Sequence, residues 1–194
     1  MKKIICLICL CTLTISSLSA QNVKDEYNIE VNGGIGLDDC VKYTFGLSYI
    51  MGIKSNEIFT IGVGLGYSFI NGLYYSSYGP GYTYDYDSYD FRNNLSTFIR
   101  AKLNLTKTDI SPFIQTDLGY TFGITSQDIK MAQGFLFEPA FGCDLKIDEK
   151  QSVYFLVGVK GMSYHYKIFD HYDLVQPTKD LFAYVLSFHL GFKF

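Results

Sequence analysis

Eight charged residues are the first candidates for chemistry, because each lies in a segment where apolar and polar residues alternate. Side chains two positions apart on a strand point to the same face, so charges from different strands can face one enclosed space. Charges removed from bulk water are stable only when paired or hydrated. The set therefore predicts a salt-bridge network, or else the lining of a narrow conduit for ions or small solutes. Its members are Glu30, Lys42, Arg100, Lys102, Asp117, Glu138, Asp144 and Lys160.

Residues 70–92 form the second candidate site, a segment in which Tyr side chains stand among Ser, Gly and Asp. Tyr supplies a large contact area at a small cost in conformational entropy, while Ser and Gly adapt to a partner. This composition predicts a contact surface for an unidentified host or cell-surface ligand. Two alternatives stay open: Tyr74 and Tyr75 belong to an aromatic belt, or the third and fourth strands extend beyond the membrane as a hairpin closed by residues 79–81. The candidate contact residues are Tyr74, Tyr75, Tyr78, Tyr82, Tyr84, Tyr86 and Tyr89.

The chain offers only weak signals for catalysis and metal binding. Ser187 and His189 share one face, as a nucleophile and its base could, but no third member of such a group is evident. Two His and two Asp within residues 165–173 carry zinc-ligand side chains without the spacing of a strand or helix site. We therefore expect no enzyme activity, no catalytic residue, no metal site and no cofactor.

The composition narrows the class of protein. Charged residues make up 18% of the 194 residues, below the roughly 25% of soluble domains, whereas 17 Tyr and 16 Phe make the chain rich in aromatic side chains. A chain with so many aromatic and so few charged residues is not intrinsically disordered. The net charge is −3 and no run of basic residues occurs, so we expect no binding to nucleic acid. The length suits a single domain.

The first 20 residues predict a secretory signal peptide. Two Lys follow Met1, an apolar stretch covers residues 4–18, and the small residues Ser19 and Ala20 end the segment. The apolar stretch is shorter than the ~20 residues that a membrane-spanning helix needs. We expect an exported protein that is cleaved after Ala20, with a single mature domain at 21–194.

Eight segments of the mature chain alternate apolar and polar residues, the pattern that indicates β-strands. No charged residue falls on their apolar faces, whereas Phe98, Phe113, Tyr154 and Leu156 depart from the pattern and fall on the polar side. The predicted strands are residues 27–37, 40–53, 57–69, 93–105, 110–124, 134–147, 152–164 and 181–194.

Side-chain volume predicts which face of these strands is outside. An eight-stranded barrel encloses a space that side chains only just fill, and the apolar faces carry about forty large residues. The polar faces, rich in Gly, Ser and Thr, fit inside instead. A bulky exterior without charges suits lipid rather than water. The fold class predicted is all-β, an eight-stranded antiparallel up-and-down transmembrane β-barrel, with a soluble exported β-barrel as the rival.

The connections predict how the barrel is oriented. Short polar links occupy residues 54–57, 106–109 and 148–151, and the longer links 70–92, 125–133 and 165–180 lie between them. Residues 38–39 are the one short link on the long-loop side. Outer-membrane barrels have short periplasmic turns and longer extracellular loops. We therefore expect an outer-membrane protein of a Gram-negative bacterium, with periplasmic termini and extracellular long loops.

The final part of the last strand, residues 188–194, alternates and ends in Phe. In this element the chain resembles the small porin-like outer-membrane β-barrel family of the Bacteroidetes, whose architecture is similar to that of the OmpA/OmpX-type barrels. The resemblance covers Tyr27 to Phe194. It implies that Phe188, Phe192 and Phe194 form the assembly signal read by the barrel-assembly machinery, and that outer-membrane lipid is the other partner. It implies fold and location rather than an activity.

These observations favour a monomeric outer-membrane barrel with a structural or surface-interaction role. Two other functions stay open: a narrow ion or small-solute channel, and a barrel enzyme that acts on envelope lipid. Conductance measurements distinguish a channel from a structural barrel, and analysis of envelope lipids in a deletion strain distinguishes an enzyme from a structural barrel.

Overall fold

The computed structural model describes residues 24–38, 41–55, 58–73, 89–124, 133–148, 151–166 and 179–194. The predicted signal peptide, residues 1–20, lies outside the described residues. These described segments form a closed antiparallel barrel, in which each strand pairs with the next and the eighth pairs with the first. The strands are β1 (Lys24–Gly36), β2 (Val41–Ser55), β3 (Phe59–Leu73), β4 (Tyr89–Asn104), β5 (Ile110–Gly123), β6 (Gln133–Lys146), β7 (Ser152–Tyr166) and β8 (Lys179–Lys193).

The eight-stranded barrel predicted from the sequence is confirmed, although several strands are longer than expected, among them the two that flank the Tyr-rich link. Strand β3 continues to Leu73 and β4 already begins at Tyr89, so that these two residues pair with each other. The Tyr-rich link predicted at residues 70–92 is therefore shortened to residues 74–88. In the described part of the chain, no helix is long and apolar enough to cross a membrane.

The closure of the barrel is staggered. A row of neighbouring residues that leaves β1 at Glu26 passes Arg100, Asp117 and Glu138, crosses the unpaired stretch between β6 and β7, and returns to β1 at Gly36, ten residues further along the strand. Such a stagger requires the strands to tilt by roughly 35–45° from the barrel axis. It also places residues that are distant in sequence side by side at one level of the lumen.

The alternation along each strand separates an apolar exterior from a polar interior. Forty large apolar side chains among the described residues are exposed, whereas most buried side chains of the strands are polar or small. This is the inverse of a water-soluble core, so the exterior needs an apolar solvent. The exposed charged residues described in the strands all lie within two residues of a strand end: Lys24, Asp25, Lys42 and Lys146.

Large side chains also enter the lumen, where glycines make room for them. Phe98, Phe113, Tyr154 and Leu156, the exceptions to the sequence pattern, are all buried inside the barrel. A Cβ at Gly64 would overlap the ring of Phe98, and one at Gly191 would overlap the ring of Tyr154. The lumen is therefore packed rather than open.

The ladder between β6 and β7 is interrupted at its centre. The register runs to Phe137 opposite Gly161 and resumes with Ala140 opposite Gly158. Pro139 lies within this gap, and proline has no amide hydrogen to donate to a neighbouring strand. The barrel wall is therefore incompletely hydrogen-bonded at this point.

Candidate functional site: a closed polar lumen

Arg100 is the centre of the ionic network inside the barrel. Its guanidinium donates from Nε to Asp117 Oδ1 at 2.8 Å and from Nη2 to Asp117 Oδ2 at 2.7 Å. On its other edge it contacts both carboxylate oxygens of Glu30, with Nη2 donating to Oε2 at 3.0 Å. All three side chains are almost completely buried. The planar guanidinium therefore joins two carboxylates through paired, charge-assisted hydrogen bonds.

The strand register explains why these residues meet. Arg100 on β4 is directly paired with Asp117 on β5, and Asp117 is in turn paired with Glu138 on β6. Glu30 extends towards Arg100 from β1, across the lumen. Gln115 completes the shell of Arg100: with its amide oxygen turned to the guanidinium, it accepts hydrogen bonds of 2.9 and 3.0 Å.

Glu30 also receives hydrogen bonds from the other side of the lumen. The Tyr154 hydroxyl donates to Glu30 Oε1 at 2.6 Å, and His189 Nδ1 lies 3.2 Å from Glu30 Oε2. A fully buried carboxylate needs such donors, because an uncompensated charge in a low-dielectric interior is strongly unfavourable. Glu30 therefore ties β1 to β4, β7 and β8 through side chains.

A second cluster surrounds Glu138. Its Oε1 accepts a hydrogen bond from Ser187 Oγ at 2.5 Å and lies 2.7 Å from His189 Nε2. Lys160 Nζ approaches Oε2 of the same carboxylate at 3.9 Å, a looser ion pair. Because the single hydroxyl proton of Ser187 is directed to Glu138, it is not directed to His189. This geometry differs from that of a nucleophile hydrogen-bonded to its base.

A third cluster lies nearer the end of the barrel that carries the termini. Lys102 Nζ donates to Asp144 Oδ2 at 2.7 Å, and Ser152 Oγ donates to Asp144 Oδ1 at 3.0 Å. Lys193 Nζ is 3.7 Å from Asp144 and 3.7 Å from Glu26. This arrangement balances two carboxylates with two ammonium groups.

Lys102 also contacts two aromatic rings in the lumen, those of Phe113 and Tyr154. Its Nζ lies 3.8 Å from the ring centroid of Phe113 and 4.8 Å from that of Tyr154. The two rings meet edge to face, with centroids 6.0 Å apart. Both contacts of the ammonium group are close enough for cation–π attraction.

Two small cavities of about 10 Å³ each, close to the volume that a single water molecule requires, border the central cluster. One is lined by Glu26, Thr60 and Lys102 on the side of the termini, and the other by Glu138 and Lys160. Arg100 lines both cavities, so its ion pairs lie between them. The central cluster therefore divides the lumen.

An apolar cluster adds a further obstruction towards the opposite end of the barrel. Five members of this cluster lie on that side of the ion pairs, and the side chain of each is at most 4% exposed: Val41, Ile70, Met162, Ala183 and Val185. Apolar constrictions exclude water and ions. An ion that crossed the lumen would have to pass this cluster as well as the ion pairs.

Seven of the eight charged residues predicted to form the network do face the lumen, and Lys42 does not. Lys42 is exposed. The register between β2 and β3 shifts between Val41 and Tyr43, a β-bulge, so Val41 rather than Lys42 occupies the inward position. Because the extra residue shifts the alternation by one position, the side chains before it exchange the inward and outward sides of the barrel. The regular alternation in the sequence of β2 does not reveal this shift.

Several network members were outside the predicted set of eight. His189, Ser187, Gln115 and Lys193 all occupy polar-face positions in the alternating pattern, so their inward direction was detectable, but their partners were not. Glu26 precedes the predicted start of β1, at Tyr27. Tyr154 was visible only as an exception on a polar face.

The remaining sequence candidates lie elsewhere. Phe188, Phe192 and Phe194 point outward from the end of the barrel and are each more than a third exposed. Tyr89 belongs to β4 through its backbone pairing with Leu73. Outside the described residues lie Tyr74, Tyr75, Tyr78, Tyr82, Tyr84 and Tyr86, together with Asp170, His171 and Asp173. Among the described residues, no group of His, Cys, Asp and Glu side chains is suited to hold a metal ion.

No protein-family model and no curated protein sequence matches the chain. Among solved structures, it is similar to Neisserial surface protein A (NspA), with a TM-score of 0.50 and 10% identity over 90% of this chain and 100% of that one. A major outer membrane protein from Thermus thermophilus gives a TM-score of 0.48 and 11% identity, covering 88% and 98% of the two chains. The outer membrane enzyme PagL gives 0.42 and 19% identity, covering 84% and 97%. The likeness to NspA shows a shared fold, that of a small outer-membrane barrel.

Proposed function

We propose that the protein resides in the outer membrane as a closed barrel with a structural or surface-interaction role. The observation that carries this proposal is the combination of an apolar exterior, whose exposed charges are confined to the strand ends, with a lumen filled by its own side chains. An exterior of this kind is stable in lipid. A filled lumen favours a scaffold over an open pore.

The height of the apolar exterior supports the location. The outward positions of β8 run from Phe182 to Phe194, and all of them are aromatic or Leu. At ~3.3 Å per residue and a tilt of ~40°, these positions span ~30 Å along the barrel axis. This height is close to the thickness of a bilayer's hydrocarbon core, about 30 Å.

The proposed orientation places the termini in the periplasm and the longer connections outside the cell. Tyr27 and Phe194 exchange backbone hydrogen bonds, so β1 and β8 meet at one end of the barrel. The three links that return to this end are short, whereas three of the four connections at the other end are long, residues 74–88, 124–132 and 167–178. Short periplasmic turns and long extracellular loops are the usual arrangement.

The Tyr-rich connection is the proposed contact surface, with Tyr78, Tyr82 and Tyr84 near its middle. Loops held by a rigid scaffold are common binding elements, and the Tyr, Ser and Gly composition suits adaptable contacts. The proposed partners are an outer-membrane lipid environment, the barrel-assembly machinery that reads the final Phe residues, and a host or cell-surface ligand. We further propose that the protein is a monomer and belongs with the porin-like barrels of the Bacteroidetes, because its last strand alternates and ends in Phe as theirs do.

Location and contact are tested separately. The location requires recovery in the outer-membrane fraction and a faster-migrating band in SDS gels when the sample is not boiled. Recovery in the soluble fraction without detergent would contradict it. The contact role is tested by replacing residues 74–88 with a Gly-Ser segment of equal length, and residues 125–132 in a matched control. Loss of binding to host cells or matrix only in the first variant supports the role; equal binding by both variants and wild type contradicts it.

A narrow channel is the second candidate, because a cavity lies on each side of Arg100. Opening it would require Arg100 to leave Glu30 and Asp117, and the apolar cluster around Val185 to separate. Recordings on refolded protein in planar bilayers test this function directly. Discrete conductance steps would favour the channel, and a background trace would favour the closed scaffold.

A further inference from the structure

His189 lies between two carboxylates inside the barrel. Its Nδ1 is 3.2 Å from Glu30 Oε2 and its Nε2 is 2.7 Å from Glu138 Oε1. The side chain of His189 is 4% exposed, and those of Glu30 and Glu138 are no more exposed than this. The imidazole therefore has a buried acceptor at each of its two nitrogen atoms.

Hydrogen-bond counting restricts the protonation state of this group. A neutral imidazole has one N–H donor and one acceptor nitrogen, whereas an ionised carboxylate only accepts. If both carboxylates are ionised, a neutral His189 would direct a lone pair at one of them. The carboxylate oxygens already receive donors from Arg100 and Ser187, as ionised groups do. Both contacts of His189 are satisfied together when both ring nitrogens carry a proton.

The local charge balance leads to the same state. The cavity beside His189 is lined by three carboxylates, from Glu30, Asp117 and Glu138, and by two basic side chains, from Arg100 and Lys160. A charged His189 makes this layer neutral. The layer nearer the termini is already balanced without it, with two carboxylates and two ammonium groups.

We propose that His189 is a proton-binding site in the barrel lumen and that its imidazolium is the cation that joins β1, β6 and β8. The bound proton offsets the repulsion between Glu30 and Glu138. When the proton is lost, two carboxylates face an uncharged ring that can donate to only one of them. The central cluster then loosens, so the proton controls how firmly the lumen is closed.

The groups that act on this site come from most strands of the barrel. Glu30 lies on β1, Arg100 on β4, Asp117 on β5 and Glu138 on β6, and Lys160 and Tyr154 face it from β7. Ser187 lies on the same strand as His189. On β2, the lining residue is the uncharged Ser48.

Nitrogen-15 NMR of histidine-labelled protein, refolded in micelles or nanodiscs, tests the proposal. The resonance that disappears in His189→Gln identifies the ring, since the chain has three His. At about pH 8, where an ordinary imidazole is neutral, we expect both ring nitrogens of His189 to be protonated. In Glu138→Gln, which removes one carboxylate, the ring should become neutral at the same pH. A neutral ring in the wild-type protein would overturn the proposal.

The pH dependence of unfolding is a second readout. The folded state would keep a proton that the unfolded state releases above about pH 6.5, so stability must fall as the pH rises. The wild-type folding equilibrium constant should decrease about tenfold per pH unit relative to that of His189→Gln. Parallel profiles for the two proteins would contradict the proposal. If His189→Gln does not fold, Glu138→Gln serves as the reference in the same comparison.

Discussion

Arg100 and Glu30, which are 70 positions apart in the chain, form a two-pronged ion pair across the barrel lumen. The pair joins β4 to β1, strands that are not neighbours in the sheet. Backbone ladders hold each strand to its neighbours, whereas this contact fixes the two sides of the barrel relative to each other. Its disruption therefore tests how much the closed lumen contributes to stability.

Replacing Arg100 by Ala should destabilise the barrel strongly. The change leaves the buried carboxylates of Glu30 and Asp117 without their shared cation, and breaking a buried ion pair costs about 3–5 kcal/mol. Urea unfolding in lipid vesicles, followed by the gel mobility of folded and unfolded bands, measures the free energy. The matched control is Lys146→Ala, an exposed cation at the end of β6, for which we expect a change within ~0.5 kcal/mol. Equal effects of the two changes would contradict the assignment of Arg100 to a buried network.

An Arg on the apolar exterior distinguishes lipid from water as the surrounding solvent. Leu118 lies near the middle of β5, is 46% exposed and points outward. Leu118→Arg should cost about 2–4 kcal/mol if the exterior faces the bilayer midplane. Ile110→Arg, at the start of the same strand, should cost no more than ~1 kcal/mol. A water-soluble barrel would tolerate both changes, and vesicle unfolding experiments compare them directly.

Replacing Pro139 by Val should strengthen the joint between β6 and β7. Valine restores an amide hydrogen in the interrupted part of the ladder and suits a lipid-facing strand position. A recovered hydrogen bond contributes about 0.5–1.5 kcal/mol. Hydrogen exchange at Val159 and Gly161, whose amides face β6, should slow in this variant. Pro112→Val, near the start of β5 where the ladder to β6 is continuous, is the control and should leave those amides unchanged.

Removing the ionic cluster alone should not produce a channel. Arg100→Ala opens the ion-paired level, but the apolar cluster that includes Met162 and Val185 still obstructs the lumen. Planar-bilayer recordings should therefore show background current for wild type and for Arg100→Ala. Conductance should rise only when Arg100→Ala is combined with Met162→Ser and Val185→Ser. Steady current from Arg100→Ala by itself would show that the apolar cluster is not a barrier.

The positions of the strands and the direction of most side chains could be predicted from alternation alone. Neighbouring residues of an extended strand point to opposite sides. On β5, for example, Leu118 faces outward and Asp117 faces inward. Tyr154 and Phe113, the apolar residues on polar faces, were recognisable as exceptions. Their packing against glycines of other strands was not.

Lys42 shows where this reasoning fails. Its segment alternates regularly, but the bulge at the β2–β3 ladder shifts the facing by one residue and exposes the ammonium group. A bulge depends on how two strands pair, and one strand's sequence contains no local sign of it.

The amino-acid sequence by itself determined that the chain forms eight amphipathic strands with apolar side chains on one face and charges on the other, because the side-chain period of a strand is a local property. Only the tertiary structure decided which charges meet. The ten-residue stagger between Glu26 and Gly36 sets the level of every inward residue, and thereby brings Arg100, Glu30 and His189 into one layer. That stagger is a property of the closed barrel as a whole, since it arises only when β8 pairs with β1.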